Sequence, residues 1–418
     1  MSQPKPVRHP VHYAWIIVVT GMLCIVACLG FGRFALGMLL PSMSSTLKLS
    51  YSQIGFISTG NFLGYLASVL FCGSIARRMG PRRLIIIALL IIGTSMALIS
   101  QARNFSSVLI LYTITGMGSG AANVPVMGLI TAWFDRTIRG RAAGFVVIGS
   151  GLAIIVSGKL IPFVNTLAGP EGWRISWMIL AGVVIAISFI GKVFLRNRPQ
   201  DVGLAPLGSE EMTISPVAGG EKNAQNIYKN KTLYLLGTIY FLFGFTYVIY
   251  ATFIVTALVK ERGFSETIAG NFWAWVGLLS LFSGPVFGTL SDRRGRKVGL
   301  IIVFSLQMLA YLMVAASLPP FFLYLSIGFY GIVAWAIPSI MAAAVSEYVG
   351  VNNALAAFGF ITFIFGLGQI AGPSVAGLLA ERTGSFSYGF FMAAVFAGMA
   401  IVLAGLLQKP RMTALQDE

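Results

Sequence analysis

Arg33 is the ionisable residue with the most unusual surroundings in this sequence. It lies in Leu29-Gly-Phe-Gly-Arg-Phe-Ala-Leu-Gly37, within a long apolar run and eight residues before Pro41. At about 1.5 Å per helical residue, it would lie about 12 Å from the end of its helix. An arginine at the centre of a membrane span costs about 2.5–3.5 kcal/mol. Binding of an anion in a cavity would explain this placement; the alternative is an arginine that reaches outward to lipid headgroups.

The acidic residues and the cysteines offer no comparable site. All thirteen Asp and Glu residues lie in gaps between apolar runs, at the ends of these runs or in polar stretches. The sequence therefore offers no mid-membrane carboxylate to carry a proton or to pair with a cationic compound. Cys24, Cys28 and Cys72 lie within apolar runs and lack the spacing and the further ligands of a metal site. We predict no metal, no cofactor and no catalytic residue.

The composition is that of a membrane protein. Of 418 residues, 57% are hydrophobic and only 10% are charged, whereas a soluble protein carries about a quarter charged residues. Apolar runs of about twenty residues recur, and each can cross a hydrocarbon core about 30 Å thick. The net charge of +16 would suit a nucleic-acid ligand, but the Lys and Arg residues gather in alternate gaps between the apolar runs. Such a distribution orients proteins in membranes, so we expect the lipid bilayer, and no nucleic acid, as partner.

Hydropathy and helix breakers predict an all-α protein with twelve membrane spans. A polar linker at 196–231 separates an N-terminal half, 1–195, from a C-terminal half, 232–418. The even number of spans puts both termini on one side of the membrane, and the excess of Lys and Arg there predicts that this side is cytoplasmic. The predicted spans are 13–40, 52–74, 84–101, 107–133, 141–163, 173–195, 232–258, 265–289, 298–318, 320–346, 353–379 and 386–407.

The two halves of the sequence repeat one pattern. At an offset of 215 residues, Gly73 matches Gly288 and Gly116 matches Gly331. Duplicated halves joined by a linker are typical of transporters that rock two bundles about a central site. A channel or a membrane enzyme could also be duplicated, so the repeat alone does not decide the function.

A basic motif between the predicted eighth and ninth spans carries a family resemblance. The segment Gly288-Thr-Leu-Ser-Asp-Arg-Arg-Gly-Arg-Lys297 resembles the signature of the major facilitator superfamily, and the likeness covers the whole chain. It implies two pseudo-symmetric six-helix bundles and a secondary transporter, not an enzyme. We assign a conformational gate to Gly288, Asp292, Arg293 and Arg296. The carboxylate can pair with an arginine in one conformation and release it in the other.

The first copy of the motif departs from the signature. Arg77 stands where the acidic residue belongs, so the two corresponding corners of the protein should not be equivalent. We include Gly73 and Arg77 in the predicted gate because of their position. The alternative for the basic residues of both copies is that they only set the membrane orientation.

The repeat also pairs Arg33 with a tyrosine. The register that aligns Gly30-Phe31 with Gly244-Phe245 places Tyr247 opposite Arg33. The family resemblance implies that both residues approach the substrate, and a guanidinium with a phenol hydroxyl suits a carboxylate. Five further residues complete the predicted substrate site, although helix packing is the alternative for each: Tyr250, Asn123, Trp335, Asn61 and Gln369.

Two segments, 133–144 and 196–204, resemble organic-anion transporters of this superfamily, of the monocarboxylate and bacterial carboxylate permease types. One departure qualifies that resemblance, and a second difference argues against the drug exporters. Gly284-Pro285 fills the region where monocarboxylate-type members carry an arginine, and Tyr112 occupies the position of an arginine found in drug exporters.

These features together predict a monomeric transporter of the inner membrane. We expect it to take up a small organic anion, a carboxylate, together with protons by alternating access. The alternative is a proton-driven exporter of amphipathic compounds, and a third hypothesis is a membrane sensor built on the same scaffold.

Overall fold

The computed structural model describes residues 12–208, 230–316, 318–350 and 353–408. Almost all of these residues are helical, and eleven stretches are long and apolar enough to cross a membrane. One stretch, Thr137–Phe194, contains two helices that meet at a short turn, so the described residues form twelve spans. The spans are α1 (Tyr13–Thr46), α2 (Tyr51–Met79), α3 (Pro81–Ile99), α4 (Phe105–Trp133), α5 (Arg136–Ala168), α6 (Gly172–Phe194), α7 (Lys231–Lys260), α8 (Glu266–Arg294), α9 (Arg296–Ala315), α10 (Pro320–Val349), α11 (Ala354–Thr383) and α12 (Ser387–Gly405).

The predicted all-α architecture with twelve spans is confirmed, but several helices are longer than their apolar runs. The helix α5 begins at Arg136, ahead of the predicted start at 141, because the Asp135 side chain accepts a hydrogen bond from the Thr137 amide at 3.1 Å and caps the helix. The division into 1–195, 196–231 and 232–418 stays a prediction. Both termini and most of the linker, 1–11, 209–229 and 409–418, lie outside the described residues.

The packing within the two bundles follows the sequence repeat. In the N-terminal bundle, an added Cβ at Gly116 of α4 would clash with the backbone of Asn61 on α2. In the C-terminal bundle, an added Cβ at Gly331 of α10 would lie 3.2 Å from the Cα of Val276 on α8. Both residues of this second contact are displaced by 215 positions from the first pair. The same close helix approach is therefore built twice, as expected of pseudo-symmetric bundles.

The bundles meet along three seams, α1 with α7, α2 with α11 and α5 with α8. The repeat governs two of these seams as well. An added Cβ at Gly151 of α5 would lie 2.6 Å from the Leu281 side chain of α8, and one at Gly366 of α11 would lie 2.9 Å from Leu66 of α2. Small residues let membrane helices approach closely, and this close packing matters because no hydrophobic effect drives helices together in lipid.

The seams are closed at one side of the membrane and open at the other. We call the side that carries the α2–α3 turn at Gly80 the linker side, and the opposite side the far side. On the far side Asn165 donates to the Glu266 carboxylate at 2.6 Å, and the Ser52 amide donates to Glu381 at 3.1 Å, both across the seams. On the linker side, four glycines of the helices that form the seams have no atom of another described element within 4 Å of an added Cβ: Gly73, Gly144, Gly284 and Gly359.

A short segment after α6, residues 196–208, folds against the linker side of the N-terminal bundle; we call it the strap. The Asn197 side chain accepts a hydrogen bond from the Arg82 amide at 2.9 Å, and the Trp133 indole donates to the Arg196 carbonyl at 3.2 Å. Leu207 pairs with the backbone around Phe134 in a single parallel β-bridge. The strap thereby fixes the ends of α3 and α4 relative to each other.

Candidate functional site

Arg33 occupies an irregular part of α1. Residues Val26–Phe34 form a π-helical segment, in which the Ala35 amide donates to the Gly30 carbonyl five residues earlier. Such segments are rare and frequently occur at functional sites. The sequence explains why α1 can pack so closely here. An added Cβ at Gly30 would clash with Ala153 of α5, and one at Gly32 would lie 2.8 Å from Ser119 of α4.

Two aromatic rings of α2 hold the flat face of the Arg33 guanidinium. Its Cζ lies 4.5 Å from the Phe62 ring centroid and 4.1 Å from that of Tyr65. Arginine favours this arrangement because its planar cation stacks on the negative faces of the rings. The edge of the group is free, since the buried Nε and Nη2 atoms have no hydrogen-bond partner among the described residues. Two parallel N–H donors on that edge match the geometry of a carboxylate.

Asn61 holds the backbone around Arg33. Its amide nitrogen donates to the carbonyls of Gly32 and Tyr112, each at 3.1 Å, while the Tyr112 hydroxyl donates to the Arg33 carbonyl at 2.8 Å. Each of these bonds satisfies a carbonyl that lies in apolar surroundings. Asn61 thus positions Arg33 with its amide group, and its Oδ1 atom is buried without a partner.

Tyr247 brings the C-terminal bundle to the same place. It lines one small cavity together with Arg33, and its hydroxyl accepts a hydrogen bond from the Gln369 amide of α11. The ring lies nearly parallel to those of Phe243, at 4.8 Å, and Phe365, at 6.0 Å between centroids. The hydroxyl therefore retains its own proton for donation to a ligand.

Trp335 lies at a break in α10, between the helices Pro320–Val333 and Ala336–Val349. Pro338 accounts for the break, because a proline ring clashes with the carbonyl four residues earlier. The freed Trp335 amide donates to the Ser283 hydroxyl at 3.0 Å. Helices interrupted near the membrane centre are typical of transporter binding sites.

The Trp335 side chain touches both bundles. Its ring lies 5.1 Å from Phe34 of α1 and 6.0 Å from Tyr247 of α7, measured between centroids. The indole Nε1 is buried and has no hydrogen-bond partner among the described residues. It is therefore a second unused donor close to the Arg33 site.

Two predicted residues have different surroundings. Asn123 reaches Arg33 indirectly, since its amide donates to the Tyr65 hydroxyl at 2.8 Å. Tyr250 lies inside the C-terminal bundle, where its hydroxyl bonds to Ser326 at 2.9 Å and its ring stacks on Tyr330 at 4.0 Å. The structure thus groups Arg33 with all of the predicted substrate residues except Tyr250.

The space beside Arg33 is contracted in this conformation. The cavity has a volume of about 10 Å³, which is room for about one water molecule. Ser58 and Thr252, which bond to each other at 3.1 Å across the seam, line it together with Phe62. A larger ligand requires the surrounding side chains to move apart. Sequence reasoning missed Phe62 and Tyr65, although their spacing of three residues on the helix beside Arg33 could have indicated them.

The predicted gate residues of the C-terminal half form an ion cluster within their own bundle. Arg296 bonds to Asp292, four residues earlier, and to Glu347 at the end of α10, at 2.6 Å. Gly288 has its nearest non-local atom 3.9 Å from an added Cβ, and Arg293 is exposed. In this conformation, therefore, the Asp292 pair does not cross to the other bundle.

The N-terminal copy has no such cluster among the described residues. The Arg77 side chain is exposed and donates to the Ser74 hydroxyl at 3.2 Å, and Gly73 faces open space. This inequality of the two corners agrees with the sequence difference at Arg77. Sequence reasoning missed Glu347, because a carboxylate at a helix end carries no signal of its partner.

Comparison with known proteins identifies the family. Residues 25–408 match the model of a family described as uncharacterised MFS-type transporter YbfB. The hexuronate transporter of Bacillus subtilis is 27% identical over 92% of this chain and 94% of its own length. A Cupriavidus necator protein named "Probable sulfoacetate transporter SauU" is 23% identical over 95% of this chain and 94% of its own. Monocarboxylate transporter 2 of Mesocricetus auratus is 23% identical over 96% of this chain and 84% of its own.

Solved structures agree on the fold. A bacterial homologue of the human lysosomal transporter Spinster, in an inward-facing and unoccupied conformation, superposes with a TM-score of 0.75 at 16% identity, covering 97% of both chains. The nucleoside transporter NupG gives a TM-score of 0.71 at 17% identity, over 94% of this chain and 98% of its own. The chain belongs to the MFS-type transporter family that its sequence matches, within the major facilitator superfamily, and is a transporter, not an enzyme.

Proposed function

We propose that the protein takes up a small organic anion, a carboxylate, and that Arg33 binds it. The observation that carries this proposal is the free edge of the Arg33 guanidinium, whose Nε and Nη2 atoms are buried without a partner. An unpaired buried cation is costly, and a carboxylate would supply two charge-assisted hydrogen bonds of about 1.5–3 kcal/mol each. Tyr247 would add a hydrogen bond from the opposite bundle.

The names of related proteins support an organic acid as substrate. Hexuronate, sulfoacetate and monocarboxylates are the compounds named for three relatives that align over more than nine-tenths of this chain. These compounds share a carboxylate and differ in the remainder of the molecule. A site organised around one arginine fits the part that they share.

The open linker side supports transport by alternating access. We assign this side to the cytoplasm of the inner membrane, with both termini, because it carries the dense Lys and Arg clusters of the sequence. The structure would then represent the inward-facing state. In the outward-facing state the linker-side ends of the bundles would close, and Asp292 would exchange partners there.

We further propose that protons accompany the anion. The thirteen carboxylates of the sequence lie outside the middle of the spans, so a proton held by a mid-membrane acid is not available. A carboxylate bound at Arg33 would neutralise this buried cation, and its protonation, which breaks the ion pair, would let substrate and proton leave together as the neutral acid. Uptake should therefore rise with an inward proton gradient.

Uptake by the purified full-length protein in proteoliposomes tests this function. We expect labelled carboxylates to accumulate under an inward proton gradient, and Arg33→Ala to lower their affinity by about a hundredfold or more through loss of both hydrogen bonds. Arg103→Ala, which removes an exposed far-side arginine, is the matched control and should transport normally. Dye efflux that survives Arg33→Ala, without accumulation of any acid, would instead establish the exporter.

A further inference from the structure

The interior of the spans provides a single cation for a ligand. In the described residues, Arg33 and Lys159 are the two basic residues that lie well away from the helix ends. The Lys159 ammonium is already bonded to the Asn271 side chain at 2.6 Å, on the α5–α8 seam. A ligand with two negative charges would bury its second charge without a partner, at a cost of several kcal/mol.

The side-chain amide nitrogens around Arg33 are already engaged as donors. Asn61 donates to two carbonyls, Gln369 donates to Tyr247, and Asn123 donates to Tyr65. A sugar acid would bring several hydroxyls into these surroundings, and each hydroxyl without a partner costs about 1–3 kcal/mol. Three unused groups remain nearby: the Asn61 Oδ1 acceptor, the Tyr247 hydroxyl proton and the Trp335 indole Nε1. They are fewer than the polar groups of a sugar acid.

Aromatic rings from both bundles surround the guanidinium. Phe62 and Tyr65 lie against its face, and Tyr247 shares its cavity. The Trp335 ring lies 5.1 Å from Phe34 and 6.0 Å from Tyr247 between centroids, and both of these residues line that cavity. Flat rings favour a flat apolar partner, because offset and edge-to-face ring pairs add about 0.5–1.5 kcal/mol beyond burial.

We propose that the Arg33 site selects a monoanionic carboxylate with an aromatic body, and that it discriminates against dianions and sugar acids. The carboxylate lies on the Nε and Nη2 edge of Arg33, and the ring lies among the aromatic side chains. The Trp335 indole donates to a second acceptor on the ligand ring. This inference rests on the proposed function and narrows its substrate class.

Binding to the purified full-length protein, measured by calorimetry, tests the selection. Benzoate should bind at least tenfold more tightly than galacturonate, a sugar acid, and sulfoacetate, a dianion. Cyclohexanecarboxylate has the same charge and similar size but no π-system, and should bind more weakly than benzoate. Arg33→Lys keeps the charge but removes the planar pair of donors, so benzoate affinity should fall at least tenfold.

A second variant tests the indole donor. Trp335→Phe keeps an aromatic ring and removes Nε1, so the ratio of the affinity for 3- or 4-hydroxybenzoate to the affinity for benzoate should fall to about one. If galacturonate or sulfoacetate binds more tightly than benzoate, and Arg33→Ala abolishes that binding, the proposed selection is overturned. The proposed anion transport would then still hold. If no acid shows binding that depends on Arg33, both proposals are overturned. An advantage of hydroxybenzoates that persists in Trp335→Phe would overturn the role of the indole.

Discussion

Replacing Gly55 by alanine should drive the two bundles apart on the far side. Gly55 of α2 faces α11, where an added Cβ would lie under 3.0 Å from the Pro373 carbonyl oxygen and 3.2 Å from the Gly377 Cα. These neighbours are backbone atoms, so no flexible side chain can move aside. The strain disappears if the α2–α11 seam opens, which is the movement that the outward-facing state requires.

The expected size of the effect follows from the cost of overpacking. One added methyl group in a tight contact costs about 1–3 kcal/mol. If opening the α2–α11 seam relieves this whole cost, the ratio of outward-facing to inward-facing molecules rises about 5- to 150-fold. Gly182→Ala on α6 is the control, because Gly182 lies outside the seams and the predicted gate and an added Cβ there has no atom of another described element within 4 Å. Both substitutions change intrinsic helix propensity by the same amount, about 1 kcal/mol.

Distances between spin labels report the conformation directly. Labels on cysteines introduced at the exposed linker-side positions Arg78 and Arg294, with the native cysteines replaced by alanine, probe the separation of α2 and α8. Gly55→Ala should add a population at shorter distance, and Gly182→Ala should leave the distribution unchanged. Identical distributions for both variants, with Gly55→Ala folded and as stable as the parent, would refute the idea that this contact holds the inward-facing state.

Three further substitutions test the supports of the site and of the linker side. Asn61→Ala should lower the free energy of unfolding by about 1–3 kcal/mol, measured by thermal denaturation in detergent, because it leaves two buried carbonyls, one of them on Tyr112, without donors. Glu347→Gln should cost less than about 1 kcal/mol, and less at high salt, since 41% of the Glu347 side chain is exposed and Arg296 keeps its other partner. Asp201→Asn should speed proteolysis of the strap without changing bundle stability, because the carboxylate accepts two strap amides at 3.1 Å.

The architecture could be predicted from the sequence because hydropathy and the repeat are long-range signals. Twelve apolar runs and a 215-residue offset specify the spans and their pairing, whatever the local packing. The helix ends could not be predicted from the apolar runs. At the start of α5, for example, a capping residue lets the helix extend over polar residues that lie outside the apolar run. Arg33 could be found because an arginine is costly within a span. The spacing of its aromatic partners Phe62 and Tyr65 could have indicated them, but tertiary contacts decide which helix packs beside Arg33, and rings are common in all of the spans.

The placement of Tyr250 illustrates a limit of helical spacing. A separation of three residues leaves about 60° between two side chains around the helix axis. On an amphipathic helix such residues share a face, but 94% of the most apolar window of α7 is buried. Because protein surrounds α7 on every side, this angle is enough to direct Tyr247 to the Arg33 site and Tyr250 to its contacts with α9 and α10. Trp335, by contrast, could be found more securely from Pro338, which marks the break in α10.

Different interactions hold the two linker-side corners, which are the α2–α3 turn and the α8–α9 turn. This difference agrees with the altered first copy of the motif. The C-terminal corner is held by the ion cluster of Arg296, Asp292 and Glu347. The positions 215 residues earlier hold Pro81 for Arg296, Arg77 for Asp292 and Ala132 for Glu347, so the N-terminal corner lacks both carboxylates and the bridging arginine. The N-terminal corner is held by the bonds from the strap to the bundle, between Asn197 and the Arg82 amide and between Trp133 and the Arg196 carbonyl, both of which join neutral groups. Raised salt screens exposed ion pairs but hardly affects bonds between neutral groups. Salt should therefore loosen the Arg296 corner and leave the strap in place, so the two corners are controlled separately.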